Sequence, residues 1–196
     1  CVVAETDAIA REAVGLIHVD YEVLEPVVDM HKAMQEDSPS VHEGGNVLSK
    51  SITNRGDLDS ARTHSKYISK GIYETQMIEH GCMEPEACIA YPHENGVEVL
   101  SQGQGVFEDR VQIAKILGLP QPDVRVKLVS NGGGFGGKED LSVQGHAALA
   151  AYLMKEPVKV RLTRDESIIM HPKRHPIWMD YEIGCDADGN LTFCKG

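Results

Sequence analysis

The residues with the clearest chemical potential lie in one loop, Ser130 to Asp140, which reads SNGGGFGGKED. Gly132 to Lys138 spells GxxxxGK, the opening of a phosphate-binding loop. That motif continues with Ser or Thr to hold magnesium, but Glu139 stands here. A carboxylate at that point repels phosphate and leaves the metal without its hydroxyl ligand, which argues against ATP or GTP hydrolysis. Gly132 to Gly137 also spells GxGxxG, the dinucleotide fingerprint, a short and permissive pattern when it stands alone. The acid that should follow at the end of the next strand is missing, since Glu156 precedes VKVRL and Asp165 lies well after it. A third reading takes the whole string. Five glycines around Phe135 let a backbone approach a ligand too closely for any Cβ. Their amides can donate to oxygens on a metal or phosphate, and the carboxylate just beyond can face a polar substrate. A tight packing turn between a strand and a helix is the plain alternative.

The flanking elements fit a loop held between a strand and a helix. DVRVKLVS alternates as a strand; EDLSVQGHAALAAYLM reads as a helix with Leu141, Gly145, Leu149 and Tyr152 roughly on one face; VKVRL is a further strand. This βαβ-like order is one in which anionic ligands collect at the helix N-terminus. Upstream, KYISKGIYET, ACIAYP and GVEVLSQ read as strands. A helix over 105–117, apolar at Val106, Ile113, Ala114 and Leu117, is closed by Gly118 with Pro120 beyond. PIWMDYEIGCDADGNLTFC reads as a hairpin whose DADGN is a turn, its glycine misplaced for a calcium loop. At the amino end an apolar, strand-like run over residues 1–5 leads to a helix capped by Thr6 and Asp7, with Ala10, Ala13, Val14 and Ile17 on one face. HVDYEVL then alternates as a strand and VVDMHKAM suggests a short helix. From Gln35 to about Arg62 the chain is polar and without period, the composition of a linker.

Composition bounds the rest. With 196 residues, 41% hydrophobic and 25% charged, the chain has the make-up of a globular protein with a real core. A net charge of −11 argues against a nucleic-acid partner, and HPKRHP, from His171, is too short a basic cluster to reverse that. No window is apolar enough to cross a bilayer, and no leader opens the chain, so a cytoplasmic protein is expected. Five cysteines without a CxxC pair do not spell a zinc or iron-sulfur site. The abrupt ends read as those of a piece of a longer polypeptide.

NGGGFGGKED, with LGLPQPDVRVKLV before it and AALAAYLMKEPVKVRLTRDESIIMHPKRHP after it, resembles the molybdenum-cofactor subunit of the xanthine dehydrogenase and aldehyde oxidase family. EHGCMEPEACIAYP and VLSQGQG resemble that family's first cofactor-domain strands, and CVVAETDAIAREAVGLIHVDYEVLEPVVD the end of its α/β hammerhead domain. The resemblance implies an α+β fold: the C-terminal part of a hammerhead domain over residues 1–43, a linker over 44–62, and over 63–196 the first part of a molybdopterin-binding domain with mixed sheets and flanking helices. It implies that Phe135 and Gly136 place backbone amides near the cofactor, that Gly133 and Gly134 permit the approach, that Gln104 lies close by, and that Glu139 orients substrate. The alternative role for Glu139 is that of a first-turn helix acid, and for Gln104 that of a bond to backbone at a strand end. Glu84 matches an acid of the family whose implied role is a buried structural carboxylate. Where many members carry a glutamine before the Glu-His pair, this chain has Ile78, which cannot donate a hydrogen bond; Gln76 shares its face on a strand.

The implied cofactor is molybdenum-molybdopterin, as such or as a dinucleotide, with no metal ligand from this chain. The implied reaction is hydroxylation, with water as oxygen source, of an electron-poor carbon in a purine, another N-heteroaromatic ring or an aldehyde. Electrons then leave through iron-sulfur clusters, often to FAD, on other subunits or domains. The implied partners are the remainder of the molybdenum subunit, an iron-sulfur subunit, an FAD subunit and a small-molecule substrate. The family's base glutamate, in a downstream GxGE segment, has no match here, which implies a chain inactive alone. The rival is a non-catalytic dinucleotide-binding or assembly module. The cofactor reading needs the Phe135 and Gly136 amides to face an open cleft; the packing reading buries them.

Overall fold

The structure, a computed structural model, describes residues 1–196. It divides into two compact units, one formed by residues 1–71 with 181–196 and the other by residues 72–180.

In the first unit, α1 (Asp7–Val14) begins where the sequence signals it: the Thr6 hydroxyl accepts from the Ile9 amide at 3.3 Å, and Asp7 pairs with Arg11 at 3.0 Å. No side chain of α1 is buried, and Val14 and Ile17 of its expected apolar face are each about half exposed. Neither residues 1–5 nor HVDYEVL form a strand, and α2 is a single turn (Met30–Ala33). A strand exists only by hydrogen bonding to a neighbour, and none in this chain pairs with either segment. The polar stretch that follows is partly organised by Asn46, whose Nδ2 donates to the carbonyls of Ala33 (2.9 Å) and Pro39 (3.0 Å) while its Oδ1 accepts from the Val41 amide (2.8 Å). It closes with α3 (Leu58–His64), capped by Asp57. Strand β1 (Tyr67–Thr75) then leads into the second unit.

That unit is built on β2 (Ala87–His93), β3 (Gly96–Ser101), α4 (Val106–Leu117), β4 (Val124–Leu128), α5 (Gln144–Met154), β5 (Val158–Arg161) and α6 (Arg164–Met170). Its sheet has the order β4-β3-β2-β5, with β3 and β4 parallel and β2 antiparallel to both β3 and β5. Alternate residues Cys88, Ala90, Val97, Val99, Val124 and Val158 face inward, under Ile113 and Ala114 of α4 and the alanines of α5. Small side chains let α5 lie close to the sheet. The compact parallel unit is therefore β3-α4-β4. The strands flanking the glycine loop, β4 and β5, are instead opposite edges of the sheet, so α5 crosses its whole width. α4 ends as expected at Gly118, which takes φ +66°.

Strand β6 (Ile177–Cys185) returns to the first unit and pairs with β7 (Leu191–Lys195) in the expected hairpin, within a sheet of order β1-β6-β7. DADGN is its turn: Asp186 Oδ1 accepts from the amides of Asp188 and Asn190, both at 2.9 Å. Arg62 pairs with Glu182 beside it.

Candidate functional site

The glycine loop leaves the end of β4 and is fastened on its inner side. Glu84 Oε2 accepts from the Gly132 amide at 2.7 Å, and Asn131 Oδ1 from the Gly133 amide at 3.2 Å. Gln104 Oε1 accepts from the amides of Gly136 (3.0 Å) and Lys138 (3.2 Å), while the Gln104 amide donates to the Lys138 carbonyl at 2.7 Å. Lys138, which the GxxxxGK pattern would aim at phosphate, points away from any ligand. It is 3% exposed, and its Nζ donates to the Glu84 carbonyl at 2.7 Å and to Gln102 Oε1. A buried ammonium must find acceptors, and here it holds the loop against the start of β2.

Two glycines are required by this close fit. A Cβ on Gly137 would lie 2.8 Å from His80 Nδ1, and one on Gly134 would overlap the Gln104 side chain. Beneath them Cys82 is buried, with its Sγ 3.4 Å from the Gly134 carbonyl. The outer side differs. Phe135 is held at φ +52° with its ring 72% exposed, and its amide donates to no protein acceptor. Gln104, having given its oxygen to the loop, has an Nε2 without a protein partner.

The structure therefore separates the two amides that the sequence placed together: Gly136 N–H is turned onto Gln104, and Phe135 N–H is left open. Gly133 lies over Cys82 and beside the Phe135 ring, and Gly134 lies against the Gln104 side chain. Glu139 is exposed and makes no ion pair or side-chain hydrogen bond. It is not a first-turn helix acid, because α5 starts only at Gln144. The Lys138 carbonyl is taken by Gln104, so helical bonding cannot begin there. Glu84 is exposed but tied to the loop, and Ile78 spends its carbonyl on the Arg174 amide at 3.0 Å. Gln76 is exposed.

Sequence reasoning passed over Lys138, Gln102, His80 and Cys82 as the loop's support. Only the GGK, EHGC and SQGQG neighbourhoods marked them, and none says that a lysine will be buried. Beside the loop an open groove of about 530 Å³ is lined by Met83, Glu84, Gly132, Lys159 and Arg161, among others. No cluster of His, Cys, Asp and Glu has the makings of a metal site, and no helix is long and apolar enough to cross a membrane.

Residues 41–196 match the family described as the molybdopterin cofactor-binding domain. The chain is 38% identical over 191 residues to the nicotinate dehydrogenase large molybdopterin subunit of Eubacterium barkeri, covering 97% of this chain and 45% of that one. It is 36% identical to a probable xanthine dehydrogenase subunit of Bacillus subtilis, covering 97% and 26%. Among solved structures, the aldehyde oxidoreductase of Desulfovibrio gigas superposes with a TM-score of 0.87 at 27% identity, covering 96% of this chain and 21% of that one. The chain thus spans less than half the length of these relatives.

Proposed function

Because the chain belongs to the molybdopterin cofactor-binding domain family, we propose that it forms part of the molybdenum subunit of a hydroxylase acting on an N-heteroaromatic compound, with the loop from Gly132 to Lys138 as one wall of the cofactor site. The observation that carries this reading is the asymmetry of the loop. Its inner amides are consumed by Glu84, Asn131 and Gln104, whereas the Phe135 amide and Gln104 Nε2 lack protein acceptors on the outer side. Two open donors beside an exposed aromatic ring suit the oxygens and flat rings of a pterin-type group. When bound, that group supplies two-electron redox chemistry with water as the oxygen source.

The chain's own residues hold and orient. Gln104 fixes the loop with its oxygen and offers its amide protons to the cofactor; Gly133 and Gly134 keep that wall free of side chains; Phe135 and Gly136 form its turn. Glu139, exposed and unpaired, accepts a hydrogen bond from a ring N–H of the substrate and sets its angle. A nitrogen heterocycle is favoured over an aldehyde by the names of the relatives, nicotinate and xanthine dehydrogenases. In this reading residues 1–43 are the end of a hammerhead domain, 44–62 a linker and 63–196 the first part of the cofactor domain. The rest of the molybdenum subunit, an iron-sulfur subunit and an FAD subunit complete the enzyme.

Elemental analysis of the native complex, purified through a tag on this gene, tests the proposal. About one molybdenum per protomer with accompanying iron is expected, and a well-folded complex lacking both would overturn it. In the same complex Glu139→Ala is expected to lower turnover with molybdenum retained; unchanged kinetics would remove the substrate role.

A further inference from the structure

Behind the loop, and apart from the residues that face the cofactor, lies a buried group of charges without an evident purpose. His171, at the end of α6, is 3% exposed, and Glu86, just ahead of β2, is 2% exposed. His171 Nδ1 lies 2.7 Å from the Ser167 carbonyl, which can only accept, so Nδ1 carries a proton. His171 Nε2 lies 2.8 Å from Glu79 Oε1. Burial pushes the Glu79 carboxyl up, but Lys173, the Gly81 amide and the charge of His171 outweigh it and hold the group below the ordinary carboxylate value. Nε2 makes no aligned hydrogen bond there, so its contact with Glu79 is one of charge rather than of direction. Glu86 has no hydrogen bond to either oxygen, and its Oε1 lies 3.6 Å from His171 Nδ1. A carboxylate so placed is tolerated only beside a positive charge.

We infer that His171, wedged between Glu79 and Glu86, forms a buried charge lock with them, and that this lock is a positioning device for the cofactor loop. The groups facing His171 are Glu79, Glu86, Lys173 and the ring of His80, whose centroid is 5.7 Å away. Two acids, Glu79 and Glu86, are set against two basic side chains, His171 and Lys173, in the cluster. It ties the segment from Glu79 to Glu86 to the end of α6. That segment carries His80, packed under Gly137, and Cys82, under Gly134. The position of the loop thus depends on a charge balance that does not touch the cofactor. The inference rests on the proposed role of the loop only for its consequence, not for the lock itself.

A charge-balance cycle in the native complex tests it. His171→Gln keeps size and a donor but leaves two acids against one lysine. It is expected to lower the first unfolding midpoint by roughly 6–12 °C. Glu86→Gln is expected to lower it less, and His171→Gln with Glu86→Gln to recover at least half of the loss. Molybdenum retained after prolonged dialysis should follow the same order, low in the single His171 variant and restored in the double. If Glu86→Gln raises the midpoint and the two changes simply add, His171 is neutral and the lock does not exist. Should His171→Gln fail to accumulate, the sign of the Glu86→Gln shift alone decides. Coupled midpoints with unchanged molybdenum retention would overturn the positioning role and leave the lock. A wild-type complex without molybdenum would instead defeat the cofactor reading, while the melting cycle still decides on the lock.

Discussion

Residues 72–180 and the remainder of the chain carry similar signals in sequence and fold to different effect. In the former, β2 and β3 find neighbours on both sides, and two helices cover one face, so Val97, Val99, Ile113 and Ala147 are wholly buried. In the latter, α1 is capped by Thr6 as the sequence signals, yet buries nothing; Leu16, Val23 and Leu24 are largely exposed, and Phe193 is its one buried apolar side chain. A cap and a period make a local element possible. Burial, at about 25 cal/mol per Å² of apolar surface, is what makes it stable, and burial needs a partner.

Thiol chemistry should show this contrast most strongly. Burial, aided by the charge of Asp109, pushes the Cys88 thiol up to about 12. At pH 8 the native protein should therefore be alkylated at Cys1 and Cys194, both exposed, roughly a thousandfold faster than at Cys88. Comparable rates, read by mass spectrometry of labelled peptides, would mean that the sheet of residues 72–180 is not closed. In core packing, Ile113→Ala should cost about 2–5 kcal/mol in urea unfolding. Leu24→Ala, at a site 74% exposed, should stay within about 0.5 kcal/mol. A large effect at Leu24 would show that the amino-terminal segment is covered in the protein as it works.

Within the second unit, the loop's inner side can be set against its outer side. Lys138→Met should cost about 2–3 kcal/mol, since the Glu84 carbonyl and Gln102 lose their buried donor. Phe135→Ala, on the outer side, should leave stability nearly unchanged while weakening cofactor retention. The smallest effect expected is one of pH. Glu79 is held below its ordinary value, so its contribution to stability is present above about pH 4.3, its unfolded value, and is lost as pH falls toward the folded one. Glu79→Gln should flatten the acid limb of the stability profile, and an unaltered limb would show that Glu79 is not held by its neighbours.

Much of this was legible in the residues. The strands over 67–75, 87–93, 96–101 and 124–128, the helix closed by Gly118 and the hairpin around DADGN follow from alternation, glycine and turn chemistry, which act over a few residues. So does the glycine loop itself, because Gly133 and Gly136 take left-handed φ of +107° and +87° that favour glycine. The failures have one cause. HVDYEVL alternates but has no strand to pair with; Glu139 looks like a first-turn acid, but the carbonyl that would start the helix is claimed by Gln104, more than thirty positions earlier.

Composition, period and motif therefore determined which segments could be strands, where the chain must turn, and that one loop is backbone almost bare of side chains. Only the tertiary structure decided that Lys138 faces inward, that Gln104 divides the loop into a bound side and an open side, and that His171 meets two acids brought in from the far side of α5 in the sequence. Local rules are written in neighbours along the chain. Which distant carbonyl or carboxylate a polar side chain will meet is set by how the sheet and helices pack, and a buried charge takes its role from that meeting.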